Sequence, residues 1–251
     1  MNKIALVTGG SRSIGRDIAL SIAKNNNHVV ITYNTSKDAA EVVVKEIEAL
    51  GQQAIALQLD TSKVDNTQNF VHEFTKAIRE KWNATHFDYQ INNAGIGASI
   101  NIADVTEDDF DKMMNVHFKS NFFLTQKLLP LLNNNGRVVN ITSGATRSWV
   151  PGYAVYASAK SALDTFTKYL AMEVGSRGIT VNSVSPGPIQ TDFNGAIIRN
   201  TPALQDFVKK QNPLGRVGMA NDIGGVVAFL CTDEARWING QRIEVSGGMA
   251  L

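Results

Sequence analysis

Short apolar runs alternate with longer segments in which apolar residues recur every three or four positions, almost from end to end of the chain. The short runs are Ile4–Thr8, His28–Tyr33, Ala54–Asp60, Phe87–Asn92, Arg137–Ser143, Thr180–Ser185 and Arg242–Val245. Each is bounded by Gly, Asn, Asp or Pro, and several stay apolar without alternation, as strands covered on both faces do. Helical periodicity falls near 14–25, 36–50, 64–82, 106–132, 153–176 and 220–231. Thr106 followed by Asp109 resembles a capping box at the start of one helix. Strand and helix in strict alternation predict right-handed crossovers, hence an α/β fold: a doubly wound parallel sheet of about seven strands with helices on both faces.

The alternation continues without an internal repeat or low-complexity linker, so residues 1–251 are expected to form one domain. Asn25–Asn27 and Asn133–Asn135 stand just before strands and read as turns. One long interruption, Gly187 to Asn212, carries helical patches at Ala196–Arg199 and Ala203–Lys210. Segments of this kind in compact domains are often lids or binding loops, so 187–212 is the expected substrate-binding segment; the alternative is a plain surface helix pair.

Composition narrows the class. The 251 residues are 43% hydrophobic and 19% charged, enough to bury a sizeable core. A formal net charge of +1 offers no electrostatic footprint for nucleic acid or an anionic membrane. A single cysteine, Cys231, excludes an intrachain disulfide and fits a reducing compartment. Lys3 passes directly into Ile4–Val7, too short for a signal-peptide core, and no apolar stretch approaches the ~20 residues of a membrane span. A cytoplasmic protein is the expectation. His28, His72, His86 and His117 lack metal-ligand spacing, so no metal is implied.

The chemistry-bearing residues follow the strands. Gly9, Gly10, Ser11, Arg12, Ser13, Ile14 and Gly15 form a glycine-rich turn between the first strand and first helix. Such a turn lets the backbone approach a pyrophosphate at a helix amino terminus. Tyr156 and Lys160, four apart on a predicted helix, share one face. A free phenol has a pKa near 10, too high for proton exchange at neutral pH, and a nearby ammonium would lower it. Ser143 ends the fifth strand and is placed to hydrogen-bond a carbonyl oxygen. Asp60-Thr61 end the third strand, where a ligand contact and a helix N-cap are equally good readings. By itself Tyr-x-x-x-Lys is weak, with about 0.3 chance matches expected; the ordered set is specific.

Together, Thr8-Gly9 to Gly15, Asn92-Asn93-Ala94-Gly95, Ser143, Tyr156-Ala-Ser-Ala-Lys160 and Pro186-Gly187-Pro188-Ile189-Gln190-Thr191 resemble the short-chain dehydrogenase/reductase family. The likeness runs the length of the chain and is nearest to bacterial 3-oxoacyl-acyl-carrier-protein reductase-like members. It implies a Rossmann-type sheet and a nicotinamide-dependent oxidoreductase interconverting a ketone or aldehyde, 3-oxoacyl groups included, with an alcohol. It implies Tyr156 as general acid/base, Lys160 on the nicotinamide ribose and Ser143 on the substrate carbonyl. Asn115, in the long fourth helix, would hold a water that relays protons to the lysine. Asp60 and Thr61 would meet the adenine, Asn93, Ala94 and Gly95 the adenosine ribose, and Pro186, Gly187, Ile189 and Thr191 the nicotinamide side. A homotetramer pairing through the helices near 106–132 and 153–176 is implied as well.

Three departures matter. Ser13 replaces a family glycine, which requires a negative φ and a Cβ clear of the pyrophosphate. No acid lies between Lys24 and Lys37, and Arg12, Asn34, Ser36 and Lys37 offer donors to a 2′-phosphate, so NADP(H) is expected over NAD(H), which is accepted more weakly. The basic residues that such reductases carry before the fifth strand are missing, leaving Arg177 as one contact for an acidic carrier; a small carbonyl or sugar-like substrate fits as well. Gln90 stands unexplained in a strand that prefers apolar residues. The rival reading is a catalytically idle NADP-binding regulator or scaffold on the same fold.

Overall fold

The computed structural model describes residues 2–250. Seven parallel strands make one sheet: β1 (Ile4–Val7), β2 (His28–Tyr33), β3 (Ala54–Gln58), β4 (Phe87–Asn92), β5 (Leu132–Ile141), β6 (Thr180–Pro186) and β7 (Arg242–Val245). Their order is β3-β2-β1-β4-β5-β6-β7, so the chain reverses direction across the sheet between β1 and β4. A doubly wound sheet opens its ligand crevice at this switch point, beyond the carboxyl ends of the strands. The predicted fold class is the one observed.

Alternation along β1 divides the core. Ala5 and Val7 face one cluster with α1 (Ser13–Lys24), α2 (Lys37–Ala49) and α9 (Asn221–Leu230), which supply Ile18, Ile22, Val43, Ile47, Ile223 and Val227. Ile4 and Leu6 face the other, with Phe70, Phe74 and Ile78 of α3 (Thr67–Trp82), Leu124 and Leu128 of α5 (Ser120–Leu128), and Leu170 and Val174 of α6 (Ala154–Val174). The inner strands β1, β4 and β6 are thus buried on both faces, which is why their sequences do not simply alternate.

A ladder of paired amides and hydroxyls crosses this core. Gln90 in β4 donates to Asn92 Oδ1 at 3.0 Å and Thr125 Oγ1 at 2.8 Å. Asn92 donates to Asn140 Oδ1 at 2.8 Å, and Asn140 to Thr167 Oγ1 at 2.8 Å. This buried ladder ties β4 and β5 to α5 and α6 behind the crevice, and it accounts for Gln90: inside a dry interior, paired amides specify one register.

Two elements depart from expectation. Asn133–Asn135 do not form a turn before β5 but a bulge inside it: Leu132 pairs Phe87, Arg137 pairs Tyr89, and the intervening residues loop out with Asn135 at φ 61°. The pattern over 106–132 is one helical path in pieces. It comprises α4 (Glu107–Met114), a π-helical turn at Asn115–Lys119, α5, and a 3₁₀ turn ending at Leu131. The Thr106 capping box is present, with Asp109 N–H donating to Thr106 Oγ1 at 3.2 Å and Thr106 N–H to Asp109 Oδ2 at 3.3 Å.

Candidate active site

The crevice begins at the glycine-rich turn. Gly9 adopts φ +65°, and Gly10 N–H donates to the Thr32 carbonyl at 2.9 Å, binding the turn to the end of β2. A Cβ on Gly15 would run into the Gly9 carbonyl oxygen and stand 2.5 Å from Asn93 Nδ2. Asn93 fastens the turn from below, donating to the carbonyls of Thr8 at 2.8 Å and Gly9 at 3.2 Å. Thr8 Oγ1 in turn accepts the amides of Asn93 and Ala94. The first turn of α1 carries no acid, so its free N–H groups and dipole are open to an anion. These residues fit the pyrophosphate of a dinucleotide. Arg12, Asn34, Ser36 and Lys37 are all exposed at this end of the sheet.

Ser13 contradicts the requirement set above. Its φ is +51°, in the left-handed region that costs a residue with a Cβ on the order of 1 kcal/mol. A tertiary contact offsets the strain. The Asp192 amide donates to Ser13 Oγ at 3.2 Å, and that hydroxyl reaches Asp192 Oδ2 at 3.4 Å. Arg199 pairs the same carboxylate at 2.7 Å. Serine here links the glycine-rich turn to the segment after β6.

Asp60 is not the helix N-cap that the sequence allowed. Its Oδ1 accepts the Ser62 amide at 3.0 Å and hydroxyl at 2.6 Å, closing an Asx turn, and these bonds hold its carboxyl below the usual range. Lys63, not Asp60, precedes the short helix at Val64–Asn66. Thr61 is half-buried beside it.

Tyr156 and Lys160 lie inward on α6, 8% and 3% exposed. Lys160 Nζ donates to the Ile141 carbonyl at 2.7 Å and stands 5.9 Å from the Tyr156 ring centroid. Burial pushes the phenol up to about 12, and the neighbour that pulls it down is the Ser143 hydroxyl. Burial pushes the ammonium down to about 8, against the pull of Asp164. Burial thus governs both groups, each pressed towards its neutral form. Ser143 Oγ accepts the Ala145 amide at 3.2 Å. Its carbonyl is gripped by Arg242 at 3.3 Å, and Arg242 is itself paired to Asp164 at 3.2 Å and Glu244 at 2.5 Å. Sequence reading missed this brace, because β7 lies some hundred residues from Ser143 and a charged strand residue gives no local signal.

Asn115 is half-buried at the start of the π-helical turn. His117, two residues on, lies against the tyrosine, with ring centroids 4.9 Å apart and planes at 85°. The π turn shifts the register of the following residues, and the freed carbonyls of Val116 and His117 accept Ser120 Oγ and Asn121 Nδ2, both at 2.8 Å. A histidine between Val116 and Phe118 reads as core by periodicity, which is why it was passed over.

Beyond β6, Gly187 lies against Ser246, where a Cβ would meet its Cα at 2.8 Å. Ile189 bridges to Gly218, and Thr191 Oγ1 accepts the Phe193 amide at 3.2 Å; both residues are buried. Two helices follow, α7 (Phe193–Asn200) and α8 (Pro202–Gln211), with Asn194, Gly195 and Ala196 all at positive φ. Phe193 lies 5.7 Å from the Tyr156 ring and Tyr153 5.4 Å from it. Asn194 donates to Tyr153 Oη at 2.9 Å, so the 187–212 segment closes over the tyrosine. Arg177 is spent on Asn134 and the Leu129 and Leu132 carbonyls, not free for a carrier protein. No helix of the described residues is long and apolar enough to cross a membrane.

Comparison with known proteins is consistent with this geometry. The family model described as enoyl-(acyl carrier protein) reductase matches residues 9–250. The chain is 40% identical to the 3-oxoacyl-[acyl-carrier-protein] reductase of Staphylococcus epidermidis, over the full length of both. It is 36% identical to a hydroxynaphthalene reductase-like protein of Metarhizium robertsii, covering 98% of this chain and 94% of that one. Among solved structures, an angucycline C-6 ketoreductase with bound NADP superimposes with a TM-score of 0.93 at 35% identity, covering 98% and 95% of the two chains.

Proposed function

The chain belongs to the short-chain dehydrogenase/reductase family, and on that premise we propose that it is an NADP(H)-dependent oxidoreductase that reduces the carbonyl of an apolar ketone to an alcohol. The observation that carries the reading is the convergence of Ser143 and the buried Tyr156–Lys160 pair beyond the carboxyl end of β5, on the same edge of the sheet as a pyrophosphate cradle. The bound cofactor supplies the hydride. Gly9, Ser11, Arg12, Ser13, Ile14 and Gly15 would hold its pyrophosphate end, with Arg12, Asn34 and Ser36 on the 2′-phosphate and Asp60 and Thr61 near the adenine. Asn93 to Gly95 would line the ribose, and Pro186, Gly187, Ile189 and Thr191 would flank the nicotinamide.

The remaining chemistry belongs to the side chains. Ser143 Oγ–H donates to the carbonyl oxygen and stabilises the charge that gathers there. Tyr156 gives its phenolic proton to the nascent alkoxide, or takes it from the alcohol in reverse. With the phenol up at about 12, the proton is present throughout the neutral range, which suits reduction. Lys160 stabilises the phenolate left behind and holds the cofactor ribose.

Aromatic and apolar groups favour a ring-bearing ketone over a carrier-bound thioester. Tyr153 and Phe193 wall the tyrosine. Trp149 and Val150, between Ser143 and Tyr156, are exposed, as are Ile197 and Phe207 on the covering helices. The idle-regulator reading gains nothing from the site, whose Ser143, Tyr156 and Lys160 are all present. The test is NADPH oxidation followed at 340 nm with cyclic aromatic ketones, aliphatic diketones and a 3-oxoacyl thioester. Turnover of the aromatic ketones in preference is expected; measurable NADPH binding with no turnover of any carbonyl would overturn the reading.

A further inference from the structure

His117 is fully buried, yet one of its ring nitrogens has no partner in the protein. Nε2 lies 2.8 Å from the Ile96 carbonyl oxygen. The Ile96 amide nitrogen lies farther from Nε2, at 3.4 Å, and a carbonyl oxygen only accepts, so the shorter contact puts the ring proton on Nε2 and leaves Nδ1 a lone pair. Burial and the charge of Lys160 both disfavour the imidazolium, which keeps the ring in this neutral form. The Cε1–Nδ1 edge lies against Gly95: a Cβ there would stand 2.9 Å from Cε1 and 3.3 Å from Nδ1. The absence of a side chain at residue 95 is therefore what admits the imidazole between the β4 turn and Tyr156. A buried acceptor without a donor is costly, and structures retain such groups where something serves them.

We infer that His117 is a positioning residue for the Tyr156 phenol: its Nε2–H is anchored to the Ile96 carbonyl, its ring fixes the tyrosine edge-to-face, and its Nδ1 accepts from an O–H donor within the crevice. The donor is an ordered water or a sugar hydroxyl of the bound dinucleotide. The inference rests on the reductase reading, but its tautomer arm does not. The arrangement gives the tyrosine a wall that is rigid through a backbone tether rather than through packing alone. It also places an uncharged acceptor beside the ammonium of Lys160, where a second cation would repel it.

Two measurements test this. In uniformly ¹⁵N-labelled protein, with His117→Asn used to assign the ring, Nδ1 should appear unprotonated and Nε2 protonated at neutral pH. A hydrogen-bonded Nδ1 in the free protein identifies water as the donor; a change only on adding NADP⁺ identifies the sugar hydroxyl. A ring protonated on Nδ1, or no hydrogen bond to Nδ1 in either state, overturns the assignment. For activity, His117→Phe keeps an aromatic ring against Tyr156 but removes both nitrogens. Its kcat should fall on the order of 10- to 100-fold with KM for ketone nearly unchanged, and His117→Asn should recover part of the loss. Full activity in His117→Phe would reduce the residue to packing. Should His117→Phe fold poorly, His117→Asn and the nitrogen spectrum decide. A wild-type protein that turns over no ketone would sink the reductase reading, while the spectrum still judges the tautomer.

Discussion

Lys160 Nζ stands 5.9 Å from the centroid of the Tyr156 ring, one helical turn along α6, and spends a hydrogen bond on the Ile141 carbonyl at 2.7 Å. The ammonium is thereby tethered to the end of β5, the strand that leads to Ser143. Burial drives the two groups apart in pKa, the phenol up to about 12 and the ammonium down to about 8. Both are pressed towards their neutral forms.

Tyr156→Phe should abolish turnover and leave NADPH affinity nearly intact, because the lost proton is used only in the chemical step while the ring still packs against His117 and Phe193. A loss on the order of 10²–10⁴-fold in kcat is expected, read by steady-state kinetics beside a fluorescence binding titration. Lys160→Ala should harm both quantities. Retention of more than about a tenth of the wild-type rate in Tyr156→Phe would refute the acid–base assignment.

The pH dependence follows from the same pair. The reductive direction needs the phenolic proton, present up to about pH 12, and the ammonium, lost as pH rises through about 8. Reduction should thus fall across that second value, whereas oxidation, which needs the phenolate, should rise with pH. A reductive kcat flat between about pH 6 and about pH 10 would show that Lys160 does not titrate there.

Stability should move oppositely to activity at Lys160. Its folded pKa of about 8 lies below the reference 10.5. Below the folded value both states are protonated and the fold bears the full cost of a buried charge. Between the two values the unfolded chain holds the extra proton, so stability rises with pH and the cost fades. Lys160→Met should therefore raise Tm by a few degrees at neutral pH, on the order of 1–3 kcal/mol, with the gain shrinking towards pH 10.5. Equal gains at both ends of the range would contradict the buried-charge account.

Arg12→Ala should erase most of the preference for NADPH and spare turnover with NADH. A hydrogen bond to a charged group contributes about 1.5–3 kcal/mol, roughly 10- to 150-fold in kcat/KM. Asn34, Ser36 and Lys37 would keep a residual margin. Wild-type kcat/KM as high with NADH as with NADPH would overturn the cofactor assignment.

A homotetramer is expected in solution. Tyr169 and Met172 of α6 are 68% and 85% exposed, and Trp237 is 97% exposed, apolar surface of the kind that partners cover. Sedimentation should give about four times the 27.3 kDa chain mass; a 27.3 kDa particle at micromolar concentration would refute it.

The strands, the single doubly wound sheet and the glycine-rich turn were legible in the sequence because each depends on neighbours within one or two turns of chain. The four-residue spacing that puts Tyr156 and Lys160 on one face of α6 is of the same kind. Tertiary structure decided what spans the sheet. Ser13 holds a left-handed φ because Asp192, 179 residues away, bonds its hydroxyl. Arg242 braces Ser143 across 99 residues. The π turn at Asn115–Lys119 carries His117 to Tyr156. Hydrophobic periodicity registers which face of an element is buried, but it carries no information on which distant polar atom meets it there, nor on a one-residue change in helical phase.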